Sequence, residues 1–371
     1  MEFLIEKSRI LRELGLTQGV VEKKTTIPIL SNLLVEAEAE TLKISATDLD
    51  LGVCCHCVAK VKSPGAATIP AKRLLEIVRS LPEAEVHFKA LENHWVQVTC
   101  ERSSFKLVGM ARDNFPLLPS LPPALATLPA DVFATAIRKT VFAISSEESR
   151  YTLNGALLLL KPGGVTMVAT DGHRLALLER DIEVAELKNE LRLLIPKKAM
   201  GELERLLSEG EGELPVRISK DESHLFFSLG QRVLICRMLT GQFPNYEAVL
   251  PRENNRVLEF DKDSISAAVR RVALLADERS RAVRMHLEKG QVEISSSSGE
   301  YGEAREVLDT SYQDEAMQIG FNYQYLLDFF GVIEEAGKVS LELKDEQSAG
   351  QLRPVEQGAY RYRYVVMPMR I

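Results

Sequence analysis

Ile69-Pro-Ala-Lys-Arg-Leu-Leu-Glu-Ile-Val-Arg-Ser-Leu81 has a counterpart roughly 125 residues along the chain, Ile195-Pro-Lys-Lys-Ala-Met-Gly-Glu-Leu-Glu-Arg-Leu-Leu207. Both open on Ile-Pro, which predicts proline at the first helical position, where its missing N–H costs nothing. Apolar residues then recur at helical spacing: Leu74, Ile77, Val78 and Leu81 in the first stretch, Met200, Leu203 and Leu207 in the second. A third version carries Leu326, Phe329, Phe330 and Ile333. So long a period lies far above those of solenoids and points to repeated domains.

Outward from these helices the repeat extends in both directions. Each copy opens on another amphipathic helix. Its stripe is Ile10, Leu14, Thr17 and Val21 in copy one, and Phe133, Ala136, Ile137, Thr140, Val141 and Ile144 in copy two. In copy three it is Ile265, Ala268, Val269, Val272 and Ala273. Polar loops follow at 22–26, 146–150 and 277–281. Strand pairs come next: 29–35 with 42–47, 154–160 with 165–170, and 282–287 with 291–295. Alternating strands close the copies at 96–110, 225–239 and 360–369, with linkers at Pro116–Pro129 and Pro251–Arg256. The reading is an α+β protein of three repeated domains, each with two helices on antiparallel sheet. The expected boundaries are 1–122, 123–250 and 251–371, since 371 residues exceed one ordinary core.

Composition narrows the function. No apolar run approaches the roughly 20 residues that span a bilayer, and charges interrupt the apolar N-terminus, which argues against a signal peptide. Five cysteines, an odd count, fit reduced thiols in a cytoplasmic protein. Cys54-Cys55-His56-Cys57 lacks the spacing of a zinc site, and adjacent residues on a strand point to opposite faces. No metal or cofactor is expected.

The stretch Val168-Ala-Thr-Asp-Gly-His-Arg-Leu-Ala-Leu177 reads as a strand pair turning at Asp171-Gly172, where glycine supplies a positive φ. A hydrolase or phosphotransferase using Asp171 and His173, with Ser149, is the enzymatic reading. No G-x-S-x-G elbow, H-E-x-x-H pair or phosphate loop supports it.

The net charge of −7 argues against tight nucleic-acid binding, but the cations repeat in position. Arg138 and Lys139 follow Phe133 at the offsets at which Arg270 and Arg271 follow Ile265. Lys72 and Arg79 flank Leu74 as Lys198 and Arg205 flank Met200, whereas Gln324 and Gly331 break the pattern in copy three. Repetition predicts a shared positive surface making sequence-independent, salt-sensitive contact with DNA. A scaffold unrelated to DNA is the remaining alternative.

Six segments carry a family resemblance. Pro28-Ile-Leu-Ser-Asn-Leu-Leu34, Arg150-Tyr-Thr-Leu-Asn-Gly155, Ala169-Thr-Asp-Gly-His-Arg-Leu175, Gly241-Gln-Phe-Pro-Asn-Tyr246, Gly320-Phe-Asn-Tyr323 and Tyr364-Val-Val-Met-Pro-Met-Arg-Ile371 all resemble the bacterial DNA polymerase III β subunit, or sliding clamp, family. The resemblance implies a non-catalytic processivity factor, a head-to-tail homodimer closing six domains into a ring around duplex DNA. Its implied interface is Phe105 and Leu107 against Leu274 and Leu275. It implies DNA contacts at Lys24, Arg73, Arg150 and Lys198, with Arg279 and Arg281 from the equivalent loop. It also implies a peptide-binding pocket of Leu153, Thr170, Gly172, His173, Arg174, Leu175, Pro244, Val249, Tyr325, Val365, Val366, Met367, Pro368, Met369 and Arg370. The methionines would adapt to many partners, while His173 and Arg174 would donate to a peptide's polar end. The implied partners are the DNA polymerase III α subunit, the clamp loader, other polymerases and repair proteins. The ATP-driven loader would be separate, for want of a G-x-x-x-x-G-K-[ST] loop. The chain departs from the family pattern at Thr152, Ala248 and Ile371.

Overall fold

The computed structural model describes residues 1–21, 26–147, 149–209, 214–333 and 337–370. Six α-helices are present among them: α1 (Lys7–Thr17), α2 (Ala71–Ser80), α3 (Ala130–Thr140), α4 (Lys197–Glu209), α5 (Lys262–Ala273) and α6 (Tyr323–Val332). The chain forms two compact units, Met1–Ala134 with Lys198–Met238, and Thr135–Lys197 with Leu239–Ile371. Neither unit is contiguous, because the second repeat contributes four strands to each of two different sheets.

In the first unit, one antiparallel sheet runs in the order Lys60–Ser63, Glu2–Glu6, Glu85–Ala90, Trp95–Cys100, Ser103–Val108. A second has eight strands: Ala126–Leu128, Val216–Lys220, His224–Leu229, Arg232–Arg237, Leu51–Val58, Thr41–Thr47, Asn32–Glu38, Gly65–Pro70. The repeats meet where Arg232 lies opposite Cys55 and Cys236 opposite Leu51. Beside this seam Arg232 grips Glu13 of α1 side-on, Nε donating to Oε2 at 3.0 Å and Nη2 to Oε1 at 2.7 Å. Both residues are buried, and the bidentate geometry satisfies each charge.

The second unit repeats the plan. Its eight-stranded sheet is ordered Leu191–Pro196, Gly155–Lys161, Gly164–Thr170, Arg174–Asp181, Arg361–Val366, Gly350–Pro354, Lys338–Leu343, Arg256–Asp261. A four-stranded sheet follows: Gly302–Asp309, Gln291–Ser298, Ala282–Glu288, Met317–Asn322. Asp261 caps α5 by accepting from the Ser264 amide at 2.8 Å, and Asn322 caps α6 by accepting from the Gln324 amide at 2.9 Å.

The stripes predicted for the helices are core. Ile10, Leu14, Leu74, Phe133, Ile137, Met200, Leu203, Val269, Leu326 and Phe329 are all buried. Several boundaries differ from the sequence expectation. Pro70 and Pro196 end edge strands one residue before their helices, where a missing N–H again costs no ladder bond. Residues 28–31 form a 3-10 turn, closed by the Ser31 hydroxyl donating to the Pro28 carbonyl at 2.7 Å, so the strand starts at Asn32. Helix α1 stops at Thr17, whose hydroxyl bonds back to the Leu14 carbonyl at 2.8 Å, and it is Val20, not Val21, that is buried. Thr140 ends α3 in the same way, donating to Ala136, and 141–143 become a 3-10 turn. The proline-rich linker holds a short strand, Ala126–Leu128.

Candidate functional site

The turn at Asp171 is built by its own backbone. Asp171 Oδ1 accepts from the amides of His173 and Arg174 at 2.9 and 3.1 Å. The Thr170 hydroxyl accepts from the Gly172 amide and donates to the Arg174 carbonyl. Gly172 sits at φ +89, and a Cβ there would stand 2.6 Å from Arg150 Nη1. The first repeat contains the same device: the Thr47 hydroxyl bonds Leu51 O and the Leu49 amide, and Asp48 accepts from the amides of Asp50 and Leu51. A Thr-Asp pair that recurs in this role is a turn-former. His173 Nδ1 lies 4.0 Å from Asp171 Oδ1, beyond a hydrogen bond, which removes the geometric basis for a catalytic pair.

Arg174 is held from within. Its Nε donates to Asp171 Oδ2 at 3.1 Å, Nη1 to Asp328, and Nη2 to the Phe142 carbonyl at 2.7 Å. The guanidinium also stacks over Tyr325, 4.3 Å from the ring centroid. Burial opposes its charge, but Tyr364, Asp328 and Asp171 outweigh that and shift its pKa upward. The sequence reading has Arg174 donating to a ligand; in the structure three of its five N–H groups tie the turn to α6 and to the segment after α3. His173, by contrast, is exposed.

Around this tie lies an apolar floor of Leu157, Val168, Leu175, Leu177 and Val365, with Phe243, Tyr246, Leu250 and Ala349 packed against it. The final strand is registered by Arg174 opposite Val366 and Leu175 opposite Val365, and the Met367 amide donates to the His173 carbonyl at 2.9 Å. Thr170, Gly172, His173, Arg174, Leu175, Tyr325, Val365, Val366 and Met367 are thus brought together. Leu153 is half-buried in a 3-10 turn whose amide bonds Arg150 O. Pro244 and Val249 are exposed beside Phe243, Tyr246 and Leu250. Pro368, Met369 and Arg370 lead elsewhere: the Met369 amide bonds Gly320 O, and the three line a cavity of about 530 Å³ with Gln318, Ile319 and Gln347.

The predicted cations divide. Lys72, Arg73, Arg79, Arg138, Lys198 and Arg270 are exposed, although Arg73 pairs with Glu76 and Lys198 with Asp48. Arg205 donates to the Leu16 carbonyl at 2.6 Å and to Glu202, Lys139 to the Val332 carbonyl, and Arg150 to Asp171 O and Glu147. Arg271 is clamped by both oxygens of Glu306. These four are engaged within the chain: Arg205, Lys139 and Arg150 each reach a backbone carbonyl at a helix end or turn, and Arg271 a carboxylate. Arg279 and Arg281 are exposed, and Arg281 takes a positive φ of 53. Lys24 and Ile371 lie outside the described residues.

Comparison with known proteins settles the kinship. Three profiles of the DNA polymerase III beta subunit match in order: the N-terminal domain at 1–119, the central domain at 127–245 and the C-terminal domain at 247–370. The chain belongs to the DNA polymerase III β subunit family. It is 33% identical to the beta sliding clamp of Pseudomonas putida over 377 aligned residues, and 36% identical to that of Caulobacter vibrioides over 381, each covering all of both chains. The crystal structure of the Pseudomonas aeruginosa β subunit superposes with a TM-score of 0.93 at 33% identity over the full length of both. So does that of a Bartonella birtlesii clamp bound to griselimycin, at 0.93 and 34%. The three-domain α+β fold is that of the family.

The sequence reading left most of this floor out of the pocket: Leu157, Val168, Leu177, Phe243, Tyr246, Leu250 and Ala349. Leu177 was readable, since it lies two residues after Leu175 on one strand and so shares its face. Tyr246 enters from a 3-10 turn, where no periodicity marks it.

Proposed function

We propose that this chain is a non-catalytic sliding clamp, two copies of which close head to tail into a six-domain ring around duplex DNA in the cytoplasm, with domains at 1–122, 123–250 and 251–371. Among the described residues no helix is long and apolar enough to cross a membrane.

The observation that supports closure is a pair of open sheet edges. Arg232–Arg237 and Arg361–Val366, the last strands of repeats two and three, pair with Leu51–Val58 and Arg174–Asp181 in the preceding repeats. Ser103–Val108 is the matching last strand of repeat one, and Gly302–Asp309 the third-repeat counterpart of Leu51–Val58. Each stands at the edge of its sheet, with backbone groups ready to pair. Joining them between copies makes a heterologous contact that closes on itself. Phe105 and Leu107 on the first edge are half-buried, and Leu274, by the second, is 79% exposed.

In this reading the floor beneath Arg174 takes short peptide motifs of the DNA polymerase III α subunit, the clamp loader, other polymerases and repair proteins. Lys72, Arg73, Arg138, Lys198 and Arg270 meet the DNA backbone without reading sequence. The test is topological. Protein loaded on nicked circular DNA by a compatible loader and ATP stays on circles and slides off once they are linearised. Equal retention on both forms would mean ordinary affinity and would defeat the ring.

A further inference from the structure

Both internal junctions between repeats use a cation to cap a neighbouring helix. In the first unit Arg205, the ninth residue of α4, donates to the carbonyl of Leu16, the tenth residue of α1. In the second, Lys139, the tenth residue of α3, donates to the carbonyl of Val332, the tenth of α6. The last carbonyls of a helix carry partial negative charge, so a cation there opposes the dipole. In α5 the carbonyls of Arg271, Val272 and Ala273 already accept from the amides of Leu274, Leu275 and Ala276, and Val272 also from the Ser296 hydroxyl. A cation there adds its charge and a second bond at Arg271 or Ala273. Each junction supplies one cation only: the position equivalent to Lys139 in α1 is Leu16, and that equivalent to Arg205 in α6 is Gly331.

At the two open ends the same positions are Arg271, the tenth residue of α5, and Arg79, the ninth of α2. Both are cationic and both are exposed. By the pattern of the internal junctions Arg79 would reach the carbonyl end of α5 and Arg271 that of the partner's α2, and two guanidinium groups brought into one junction would repel. Glu306 removes one of them from contention: on the open edge strand it holds Arg271 bidentately, Nε to Oε2 at 2.9 Å and Nη2 to Oε1. Resting on the head-to-tail reading above, we propose that Arg79 of one copy caps the carbonyl end of α5 in its partner, and that Glu306 holds Arg271 aside so that this cap can form.

The experiment is a dimer dissociation constant, from sedimentation of the full chain over a dilution series, for wild type and three variants. Arg79→Gln weakens the dimer roughly ten-fold, since the ring contains the contact twice. Glu306→Gln also weakens it, because the released Arg271 repels Arg79. The double variant binds more tightly than Glu306→Gln alone, with Arg271 now free to cap α2 as Lys139 caps α6. An unchanged constant for Arg79→Gln, or a double variant no tighter than Glu306→Gln, overturns the cap. Leu274→Asp separates the two levels. If it breaks the dimer while Arg79→Gln does not, only the cap fails; if wild type never dimerises, head-to-tail closure fails first. Thermal melts of wild type and each variant, run at a dilution where all are monomeric, are expected to coincide and so to show that folding is not the cause.

Discussion

Replacing Arg174 with alanine should loosen the site from below and not merely strip it of a charge. The change removes three donors, to Asp171, Asp328 and the Phe142 carbonyl, along with the stack on Tyr325. Breaking a buried ion pair by deleting one partner typically costs about 3–5 kcal/mol. Here water reaches the orphaned carboxylates, whose side chains keep 15% and 24% of their exposure, and Asp171 retains two backbone amides. The lower end, about 3 kcal/mol, is therefore expected. That corresponds to roughly a hundred-fold rise in local opening. Amide hydrogen exchange reads it directly: the Met367 amide and those of Arg174–Asp181 should exchange about a hundred-fold faster in Arg174→Ala. Arg174→Lys should fall between, keeping the charge but losing the planar fork. Peptide affinity should drop in step with exchange. Unchanged exchange with lost peptide binding would refute the argument and return Arg174 to the role of a ligand donor.

Two further outcomes follow from the turn and the helices. Leu49 holds φ +82 at the position equivalent to Gly172 and is 52% exposed, so Leu49→Gly should stabilise by about 0.5 kcal/mol as relieved strain exceeds glycine's entropy cost. Gly172→Ala should destabilise by about 1–2 kcal/mol, and urea titrations showing the same sign for both would contradict the backbone reading. Burial raises the Glu202 carboxyl above its usual 4.5 against the pull of Arg205 and Lys198. The folded chain then binds that proton more tightly than the unfolded one, so this contribution is full below pH 4.5 and is lost as pH rises through the folded value. Glu202→Gln should accordingly be more stable than the parent at neutral pH and similar to it in acid. Melts from pH 4 to 8 in which the parent stays ahead at neutrality would show that its ion pair with Arg205 dominates.

What the sequence revealed was local and periodic. The helix stripes, the Asp171-Gly172 turn and the threefold plan could be read because side-chain direction follows spacing along one element. Contacts made at long range left no such mark. Nothing near Leu51 announces that its strand will pair with Arg232–Arg237, because register is fixed only when two distant segments meet. The cations misled for a related reason. Lys139 and Arg271 occupy the same offset, yet one finds a helix carbonyl and the other a glutamate on a neighbouring strand. The partner of a long flexible cation lies outside its own element, so pattern locates the charge and not its use.

Sharing each eight-stranded sheet between two repeats dictates an order of events during synthesis. The strand Leu51–Val58 emerges early, but its neighbour on one side, Arg232–Arg237, belongs to a hairpin made much later. Until then the first repeat must carry a bare, largely apolar sheet edge, and a nascent chain cut short before residue 237 has no means of covering it. The natural unit of inheritance and the natural unit of assembly therefore differ in this protein. The gene repeats by domain, whereas the polypeptide matures by seam.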